Sequence, residues 1–316
     1  MLDAKDKQLL YALDVDARQP ASHIAQRIKL SKEATLYRIR RLEHEGILLG
    51  TGAVVDLAKL GYTVVRTYVK LQKASFTKKE EIITYLVEQT RTVYVAELEG
   101  NQFDISLGFA AASMHEFEAF FHAFQLHFKA HLQSAQTSVF TQVLQFDRAY
   151  LAPQKTARRI TQTLSHTAVE AIDDIDRKIL SAITKDARCS LLALAKIIDV
   201  PARTLTFRVQ QLEKKHIIVG YKPNIALAQI GMSYYKVDIR LDDVSILPSL
   251  IEYSTQHPNI VYVDKMIAGS DFEFDVEVET KEAFFTLMRQ LTDQFPQIVD
   301  WCYFNSVMYR KLTYFF

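Results

Sequence analysis

The sequence predicts an α+β protein made of two tandem copies of one unit, each a group of short helices followed by a βαββαβ segment. An internal repeat divides the 316 residues into two halves. Within each half the apolar period changes from that of a helix to that of a strand. An apolar fraction of 49% with only 9 Gly and 7 Pro indicates a globular protein that can bury cores and has little low-complexity chain.

The repeat appears when the chain is shifted by 170 positions, which aligns 2–62 with 172–232 without a gap. Identical pairs in that register include Asp3 and Asp173, Asp6 and Asp176, Arg18 and Arg188, Leu42 and Leu212, and Gly50 and Gly220. A shift of 169 then pairs Gly100-Asn101-Gln102-Phe103 with Gly269-Ser270-Asp271-Phe272. The duplication therefore covers both parts of each half.

Each unit begins with three predicted helices, the last two short and joined by a tight turn. Ser31 is suited to cap the third helix of copy 1, and Gly46 is suited to end it. The predicted core stripe of this helix is Leu36, Ile39 and Leu42 in copy 1, and Leu205, Val209 and Leu212 in copy 2. A scaffold helix followed by such a pair is the helix-turn-helix arrangement.

The rest of each unit has the order βαββαβ, which is the ferredoxin-like split βαβ pattern. In copy 1 we predict strands near 65–71, 92–98, 103–109 and 138–146, and helices at 78–88 and 114–132. The predicted domains are a helix-turn-helix at 1–60, a ferredoxin-like effector and dimerisation domain at 61–148, a linker at 149–170, and their second copies at 171–230 and 231–316.

Several motifs resemble the Lrp/AsnC (feast/famine) regulators. They are Leu2-Asp3-x-x-Asp6-x-x-Leu9-Leu10, Asp16-Ala17-Arg18, Leu30-Ser31, Arg38-Ile39-Arg40-Arg41-Leu42-Glu43-x-x-Gly46-Ile47 and Leu60-Gly61. Gly100-x-x-Phe103-Asp104 resembles the glycine–aspartate loop of the sensing domain in that family. The resemblance implies a winged helix-turn-helix that binds double-stranded DNA, and a second domain that dimerises and often binds amino acids. It implies transcription regulation and no enzyme activity.

The sequence departs from the family pattern in the turn before the recognition helix, where the usual Gly is Lys29 in copy 1 and Asp199 in copy 2. We expect positive φ there, which Asp accepts better than Lys. In the same alignment His216 replaces Gly46, and Glu273 replaces Asp104.

The candidate DNA contacts lie on the third helix of each unit. They are Ser31, Lys32, Thr35, Arg38, Arg40 and Arg41 in copy 1, and Arg203, Thr204, Thr206, Arg208, Lys214 and Lys215 in copy 2. The alternative is a merely solvated basic face. Because Gln210 and Gln211 replace Arg40 and Arg41, we expect the copies to contact DNA unequally and to read a non-palindromic site.

The predicted strand 272–279 of copy 2 alternates strictly, with Glu273, Asp275, Glu277 and Glu279 on one face. One interpretation is a solvated acidic sheet. The other is an internal pseudo-dimer, in which Arg66 and Lys70 of copy 1 lie near this acidic strand and favour the pairing of unlike copies.

The loops that follow the second strand of each sensing domain are the candidate effector sites. By resemblance the residues are Gly100, Asn101 and Asp104, with Gly269, Asp271 and Glu273 in copy 2. The alternative is an ordinary hairpin turn.

Other chemistry has little support in the sequence. His127 and His131 have metal-ligand spacing on a helix but lack a third ligand nearby, and no cofactor fingerprint is present. The main alternative function is a siroheme decarboxylase-like enzyme, whose family resembles paired Lrp-like units but uses histidine where these strands have none. A DNA-free regulator acting through protein partners is the third possibility.

The cellular setting predicted from the sequence is the cytoplasm. Cys189 and Cys302 stand alone, the first residues are charged, and no long apolar run suggests a membrane span. The net charge of +1 means that any DNA affinity must come from a local patch.

Overall fold

The computed structural model describes residues 2–99, 102–152, 158–165 and 168–316, with the backbone alone at 306–308. The elements of copy 1 are α1 (Ala4–Val15), α2 (Ala21–Ile28), α3 (Lys32–His44), β1 (Leu48–Val55), β2 (Thr63–Leu71), α4 (Phe76–Glu88), β3 (Thr92–Glu99), β4 (Ile105–Ala111), α5 (Met114–Phe128) and β5 (Leu132–Phe146). The linker contributes β6 (Ile160–Thr163). The elements of copy 2 are α6 (Asp174–Ile183), α7 (Leu191–Ile198), α8 (Ala202–Lys214), β7 (Ile218–Ile225), β8 (Ser233–Leu241), α9 (Leu247–Gln256), β9 (Ile260–Ile267), β10 (Phe272–Val278), α10 (Lys281–Gln294) and β11 (Ile298–Leu312).

Both helix-turn-helix domains begin at a capping box. Asp3 caps α1 by accepting a hydrogen bond from the Asp6 backbone, and the Asp6 carboxylate accepts one from the Asp3 backbone. Asp173 and Asp176 form the same box on α6. The two boxes satisfy backbone donors that would otherwise be unpaired at the helix start.

The turns around the recognition helices α3 and α8 have the expected left-handed residues. Lys29 has φ +56° and Asp199 has φ +61°, which is the positive φ expected where the family pattern has glycine. Gly46 ends α3 with φ +65°, and His216 takes the same conformation after α8 with φ +54°. The backbone geometry is therefore retained in both copies although the residue types changed.

The strand after each recognition helix pairs with its counterpart in the other copy. β1 and β7 form a two-stranded antiparallel sheet. At each end of this sheet the pairing extends to the turn after the first helix of the other copy: Ala17 donates to the Tyr221 carbonyl at 3.0 Å, and Ala187 donates to the Thr51 carbonyl at 2.9 Å. The two helix-turn-helix domains are thereby joined as a pseudo-twofold pair.

The eight strands of the two ferredoxin-like domains close into one antiparallel barrel. Within copy 1 the strand order is β5-β2-β4-β3, and within copy 2 it is β11-β8-β10-β9. β3 pairs with β11 and β5 pairs with β9, so both open edges are covered by the other copy. The predicted internal pseudo-dimer is thus present as a closed sheet without free edges between the copies.

The helices of the sensing domains cover the outside of the barrel. Phe109, Phe120 and Phe124 belong to the core under α4 and α5, and Phe274 and Phe284 belong to the core under α9 and α10. Helix α5 ends earlier than predicted, and β5 starts at Leu132 because the chain straightens directly after a single 3-10 turn. The linker supplies an extra strand beside β5, and its residues 153–157 and 166–167 lie outside the described ranges.

Candidate nucleic-acid interface and sensing-barrel interior

The core stripe of α3 starts at Thr35 and not at Leu36. Thr35 is fully buried, its hydroxyl donates to the Ser31 carbonyl at 2.9 Å, and Ile39 and Leu42 continue the stripe. The prediction that Thr35 contacts DNA is therefore wrong. The burial of Thr35 could have been predicted from the repeat, because it aligns Thr35 with Leu205, a predicted core residue of copy 2 that is buried in the structure.

Arg38 and its repeat counterpart Arg208 hold the recognition helix to the start of the scaffold helix. Arg38 lies 2.7 Å from both Asp3 and Asp6. Arg208 lies 2.7 Å from Asp173 and 3.0 Å from Asp176. The hydrogen bond from Arg38 keeps the pKa of Asp3 below its ordinary value. The expected DNA role of these two arginines is therefore corrected: their guanidinium groups are engaged within the domain.

The remaining polar residues of α3 divide into bound and exposed groups. Arg41 pairs with the buried Asp6 at 2.5 Å and with Glu45 at 3.7 Å. Ser31, Lys32 and Arg40 are exposed, and the Ser31 hydroxyl caps the helix at Ala34. Within the described chain neither Lys32 nor Arg40 has an ion-pair partner. These two side chains are the cations of α3 that remain available to a phosphate backbone.

The corresponding surface of α8 has a different composition. Arg203, Thr204, Thr206 and Lys214 are exposed, whereas Lys215 pairs with Glu170 at 3.3 Å. An aromatic side chain follows at the same position in both helices, where Tyr37 is 67% exposed and Phe207 is 58% exposed. The two candidate surfaces therefore share a scaffold but present different chemistry.

A buried ion pair joins the two copies inside the barrel. Arg66 on β2 donates two hydrogen bonds to Glu273 on β10, at 2.5 and 2.7 Å, and both side chains are almost fully buried. Lys236, the repeat counterpart of Arg66, lies 3.2 Å from Glu273 and 2.6 Å from Asp264. The acidic strand thus faces basic Arg66 as predicted, but Lys70 does not reach it and pairs instead with Asp104 of its own copy at 3.3 Å.

Carboxylates outnumber cations in the barrel interior. Lys236 and Arg66 hold the pKa of Glu273 at about 2 although burial opposes this. Burial, reinforced by the Glu273 charge, raises the pKa of Asp238 to about 7, and burial raises that of Asp275 to about 6. One carboxylate oxygen of Asp238 is buried without a hydrogen-bond partner among the described atoms. The interior can therefore take up protons near neutral pH.

A second buried network connects the helix-turn-helix domain of copy 1 (1–60), called DNA-binding domain 1 below, to the ferredoxin-like domain of copy 2 (231–316), called sensing domain 2 after its predicted role. Arg148 donates to Glu277 through two bonds of 2.9 Å and to Asp14 at the end of α1 at 2.7 Å. Lys222 of β7 donates to Asp147 at 2.8 Å. Burial opposes the charge of Asp14, but Lys222 and Arg148 hold its pKa below the ordinary value. Copy 1 has Ala110 where copy 2 has Glu277, so this connection exists on one side only.

Both helix-turn-helix domains are similar to known DNA-binding domain families. Residues 2–43 match the AsnC-type helix-turn-helix domain, and residues 172–219 match a winged helix-turn-helix DNA-binding domain. The transcriptional regulator LrpA of Pyrococcus horikoshii is 38% identical over 65 residues, which are 21% of this chain and 46% of LrpA. The regulator Zrp of Zymomonas mobilis is 29% identical over 142 residues, 45% of this chain and 92% of Zrp.

The chain is thus similar to the Lrp/AsnC regulators, and its two helix-turn-helix domains fit a tandem duplication.

A solved structure matches this chain over almost its whole length. The siroheme decarboxylase NirDL superposes with a TM-score of 0.65 over 98% of this chain and 92% of its own, at 12% identity. At that identity the likeness concerns the fold, a tandem pair of the same two-domain units.

The two loops predicted to bind an effector align in a different register from the one predicted. Asp104 accepts a hydrogen bond from the Leu71 backbone at 2.7 Å, and Asp271 accepts one from Leu241 at 2.8 Å. Asp271 is therefore the counterpart of Asp104, and the expectation that Glu273 replaces it is wrong. Strand pairing fixes the correct register, because Ile105 opposes Val69 as Phe272 opposes Ile239.

The carboxylates predicted to bind an effector are already satisfied by the protein. Glu273 is buried on Arg66 and accepts the Ser270 backbone at 3.1 Å, so its predicted effector role is wrong. Gly269 makes room for this contact, since a Cβ there would lie 2.7 Å from a Glu273 oxygen. Gly100 and Asn101 lie outside the described residues.

The other candidate chemistry leaves no site in the described part of the chain. His127 and His131 bond to the carbonyls of Ala123 and Lys73, and no cluster of three or more ligands suited to a metal occurs there. No helix among the described residues is long and apolar enough to cross a membrane. Sequence reasoning missed Lys236 and Arg148, although the 170-residue shift that equates Arg66 with Lys236 could have found the first.

Proposed function

We propose that this protein binds double-stranded DNA through both helix-turn-helix domains and regulates transcription in response to a small effector, with an amino acid as the expected class. The observation that carries the proposal is the pairing of β1 with β7, which joins two recognition modules of one chain as the two halves of a regulator dimer. Dimeric helix-turn-helix proteins bind paired half-sites in this way.

The two half-sites are proposed to differ in sequence. Arg40 of α3 is exposed and unpaired within the described chain, and its counterpart in α8 is the neutral Gln210. The first turns also differ, with Lys32 in one helix and Ala202 in the other. These cations act on the phosphate backbone and make the two modules bind unequally, whereas sequence is read by the other exposed residues, which also differ, as at Tyr37 and Phe207. An asymmetric operator therefore suits this chain better than a palindrome.

The test is fluorescence anisotropy of the full chain with duplexes from its own upstream region across a salt series. Arg40→Gln should lower affinity and reduce the salt slope by about one phosphate contact, and Gln210→Arg should raise both. Arg38→Gln is the matched control, since Arg38 is bound within the domain. Equal slopes in all variants would contradict the assignment of Arg40, and absence of binding to any fragment at low salt would favour a regulator that acts through protein partners.

The second candidate is an enzyme resembling siroheme decarboxylase, which the full-length fold likeness to NirDL favours. Three features disfavour it. The equivalent strands, Tyr94–Leu98 and Tyr262–Met266, contain no histidine. The barrel interior is occupied by the Arg66–Glu273 pair, and its excess carboxylates would repel an acidic tetrapyrrole. Titration with iron-uroporphyrin III should give no saturable Soret change, and a saturable change would put the enzyme ahead of the regulator.

A further inference from the structure

A cavity of about 420 Å³ lies between DNA-binding domain 1 and sensing domain 2. Its apolar wall includes Leu151 of the linker, Met232 directly before β8, and Leu287 of α10. Lys7 of α1 and Glu279, which follows β10, supply its charged groups. A cavity of this volume that combines apolar and polar side chains lies in the range of small-molecule sites.

The same place in the other half of the molecule is filled by the protein itself. There the Arg91 guanidinium lies 4.6 Å from the Tyr62 ring centre and 4.7 Å from that of Phe316, and Arg91 lies 3.6 Å from Glu116. The two rings meet edge to face at 5.2 Å. This cation–π and ion-pair cluster closes the position in copy 1.

Backbone hydrogen bonds establish that the two places are equivalent. The Arg91 carbonyl accepts from Ala110 at 2.8 Å, and the Asn259 carbonyl accepts from Glu277 at 2.9 Å. The equivalence of these acceptors and donors follows from the matching registers of β4 on β2 and β10 on β8. Copy 2 therefore has Asn259 where copy 1 has Arg91.

The acidic residue of this cluster and one of its aromatic rings also differ between the two copies. Glu116 donates its backbone N–H to the capping Ser113 at 3.2 Å, and Ala283 does so to Thr280 at 3.1 Å. The repeat likewise aligns Tyr62 with Met232. Copy 2 thus lacks the arginine, the glutamate and one of the aromatic rings that fill this position in copy 1, and the cavity is the space they leave.

The two charged groups that line the cavity have opposite signs. Within the described ranges neither the Lys7 ammonium nor the Glu279 carboxylate has an ion-pair or hydrogen-bond partner. The neighbouring His257 adds no charge at neutral pH, because burial and the Arg158 charge lower its pKa to about 4. The cavity therefore offers one cation, one anion, an apolar wall and the neutral polar side chains of Asn259, Thr286 and Gln290.

From this arrangement we propose that the cavity binds a small zwitterion with an apolar body, its amine toward Glu279 and its carboxylate toward Lys7, as in an α-amino acid with an apolar side chain. The inference rests on the proposed function only in treating this ligand as the effector. In such a ligand the amine and the carboxylate lie on one carbon and the apolar side chain extends from it. One charge-assisted contact to each charged group, with burial of the side chain, selects this class over a neutral or singly charged molecule.

The position of the cavity suggests how occupancy reaches the DNA-binding domain. Lys7 belongs to α1, whose other end is held through Asp14 by Arg148 and Glu277. Tyr150, which also lines the cavity, donates its hydroxyl hydrogen bond to Glu277. A ligand that contacts both α1 and sensing domain 2 stabilises the arrangement in which the two are docked. If DNA binds the docked and undocked arrangements with different affinity, linkage requires the ligand to change the affinity for DNA.

The test is calorimetry on the full chain with L-leucine, L-methionine and L-phenylalanine as probes. At least one should bind, and for leucine the analogues 3-methylbutylamine and 4-methylpentanoate should bind at least about tenfold more weakly, since each lacks one charge. If none of the three amino acids binds, or if an analogue binds as well as its parent, the proposal is overturned.

Matched variants locate the site. Asn259→Arg with Ala283→Glu restores the copy 1 pair and should abolish binding, whereas Arg91→Asn with Glu116→Ala changes the other copy and should leave it intact. Glu279→Gln, an exposed change that does not require repacking, should weaken the zwitterion at least about tenfold but leave 4-methylpentanoate unaffected. Unchanged binding in the filled variant would overturn the site. DNA affinity without ligand, measured in parallel, shows separately whether the proposed function holds.

Discussion

Arg66 of the first sensing domain and Glu273 of the second form a two-bond ion pair in the closed interior of the barrel. The mirror pair does not exist, because the counterpart of Arg66 is the cation Lys236 but the counterpart of Glu273 is the neutral Ser106. The contact therefore specifies the joining of unlike copies. A buried pair of this kind costs desolvation, so its role in specificity is better supported than a role in net stability.

Removing one partner of this pair should destabilise the protein strongly. We expect Glu273→Gln to lower the free energy of unfolding by about 3–5 kcal/mol, because it leaves Arg66 charged and buried. The double variant Arg66→Met with Glu273→Met should lose much less. Urea unfolding followed by tryptophan fluorescence measures both, and a double variant as unstable as the single one would contradict this account.

The contribution of Asp238 and Asp275 to stability should fall as the pH rises from about 4 to 7, against the opposite contribution of His257, whose pKa burial and the Arg158 charge lower to about 4. The pKa of Asp238 is about 7 in the folded chain, against about 3.9 when unfolded. The folded state therefore retains a proton that the unfolded state releases, and this contribution is complete below pH 4 and lost as the pH rises through 7. Asp275, with a pKa of about 6, acts in the same direction.

Unfolding midpoints in urea at several pH values measure this dependence. Asp238→Asn stays neutral throughout, so it should flatten the fall in stability above pH 5. Asp300→Asn, an exposed carboxylate on β11, is the control and should retain the wild-type slope. An unchanged slope in Asp238→Asn would show that Asp238 does not retain its proton.

The turn before α3 should gain stability from glycine. Lys29 has φ +56°, a conformation that costs a residue with a Cβ about 1–2 kcal/mol. We expect Lys29→Gly to raise the melting temperature, and Asp199→Gly to raise it less, because Asp tolerates this region better. Differential scanning calorimetry makes the comparison, and a lower melting temperature for Lys29→Gly would contradict it.

Arg38 should prove to be a structural residue of the DNA-binding domain. Arg38→Gln leaves the buried Asp6 with fewer partners and should cost about 1–3 kcal/mol of stability without changing the salt slope of DNA binding. Arg40→Gln should leave stability unchanged and reduce the salt slope of DNA binding. Thermal unfolding and salt-dependent anisotropy on both variants separate the roles, and a reduced slope for Arg38→Gln would assign it to the phosphate backbone.

The sequence by itself determined the repeated architecture. Local rules were sufficient for this: the aspartate capping boxes at Asp3 and Asp173, the glycine end of α3 at Gly46, and the strict alternation of β10 all depend on neighbours a few residues away. The left-handed turn at Lys29 followed from comparison of the two copies with the family pattern. The burial of Thr35 could also have been predicted, because the repeat aligns Thr35 with the core residue Leu205.

Only the tertiary structure decided which charges are free and which are bound. Arg38 and Arg40 look alike in the sequence, but one reaches Asp6 across the domain and the other reaches solvent. Asp271, and not Glu273, is the counterpart of Asp104, because Glu273 lies on the inside of the closed barrel. Barrel closure depends on strand pairs that are far apart in the chain. The cavity beside Lys7 has the same origin, since its walls come from distant segments brought together by long-range packing.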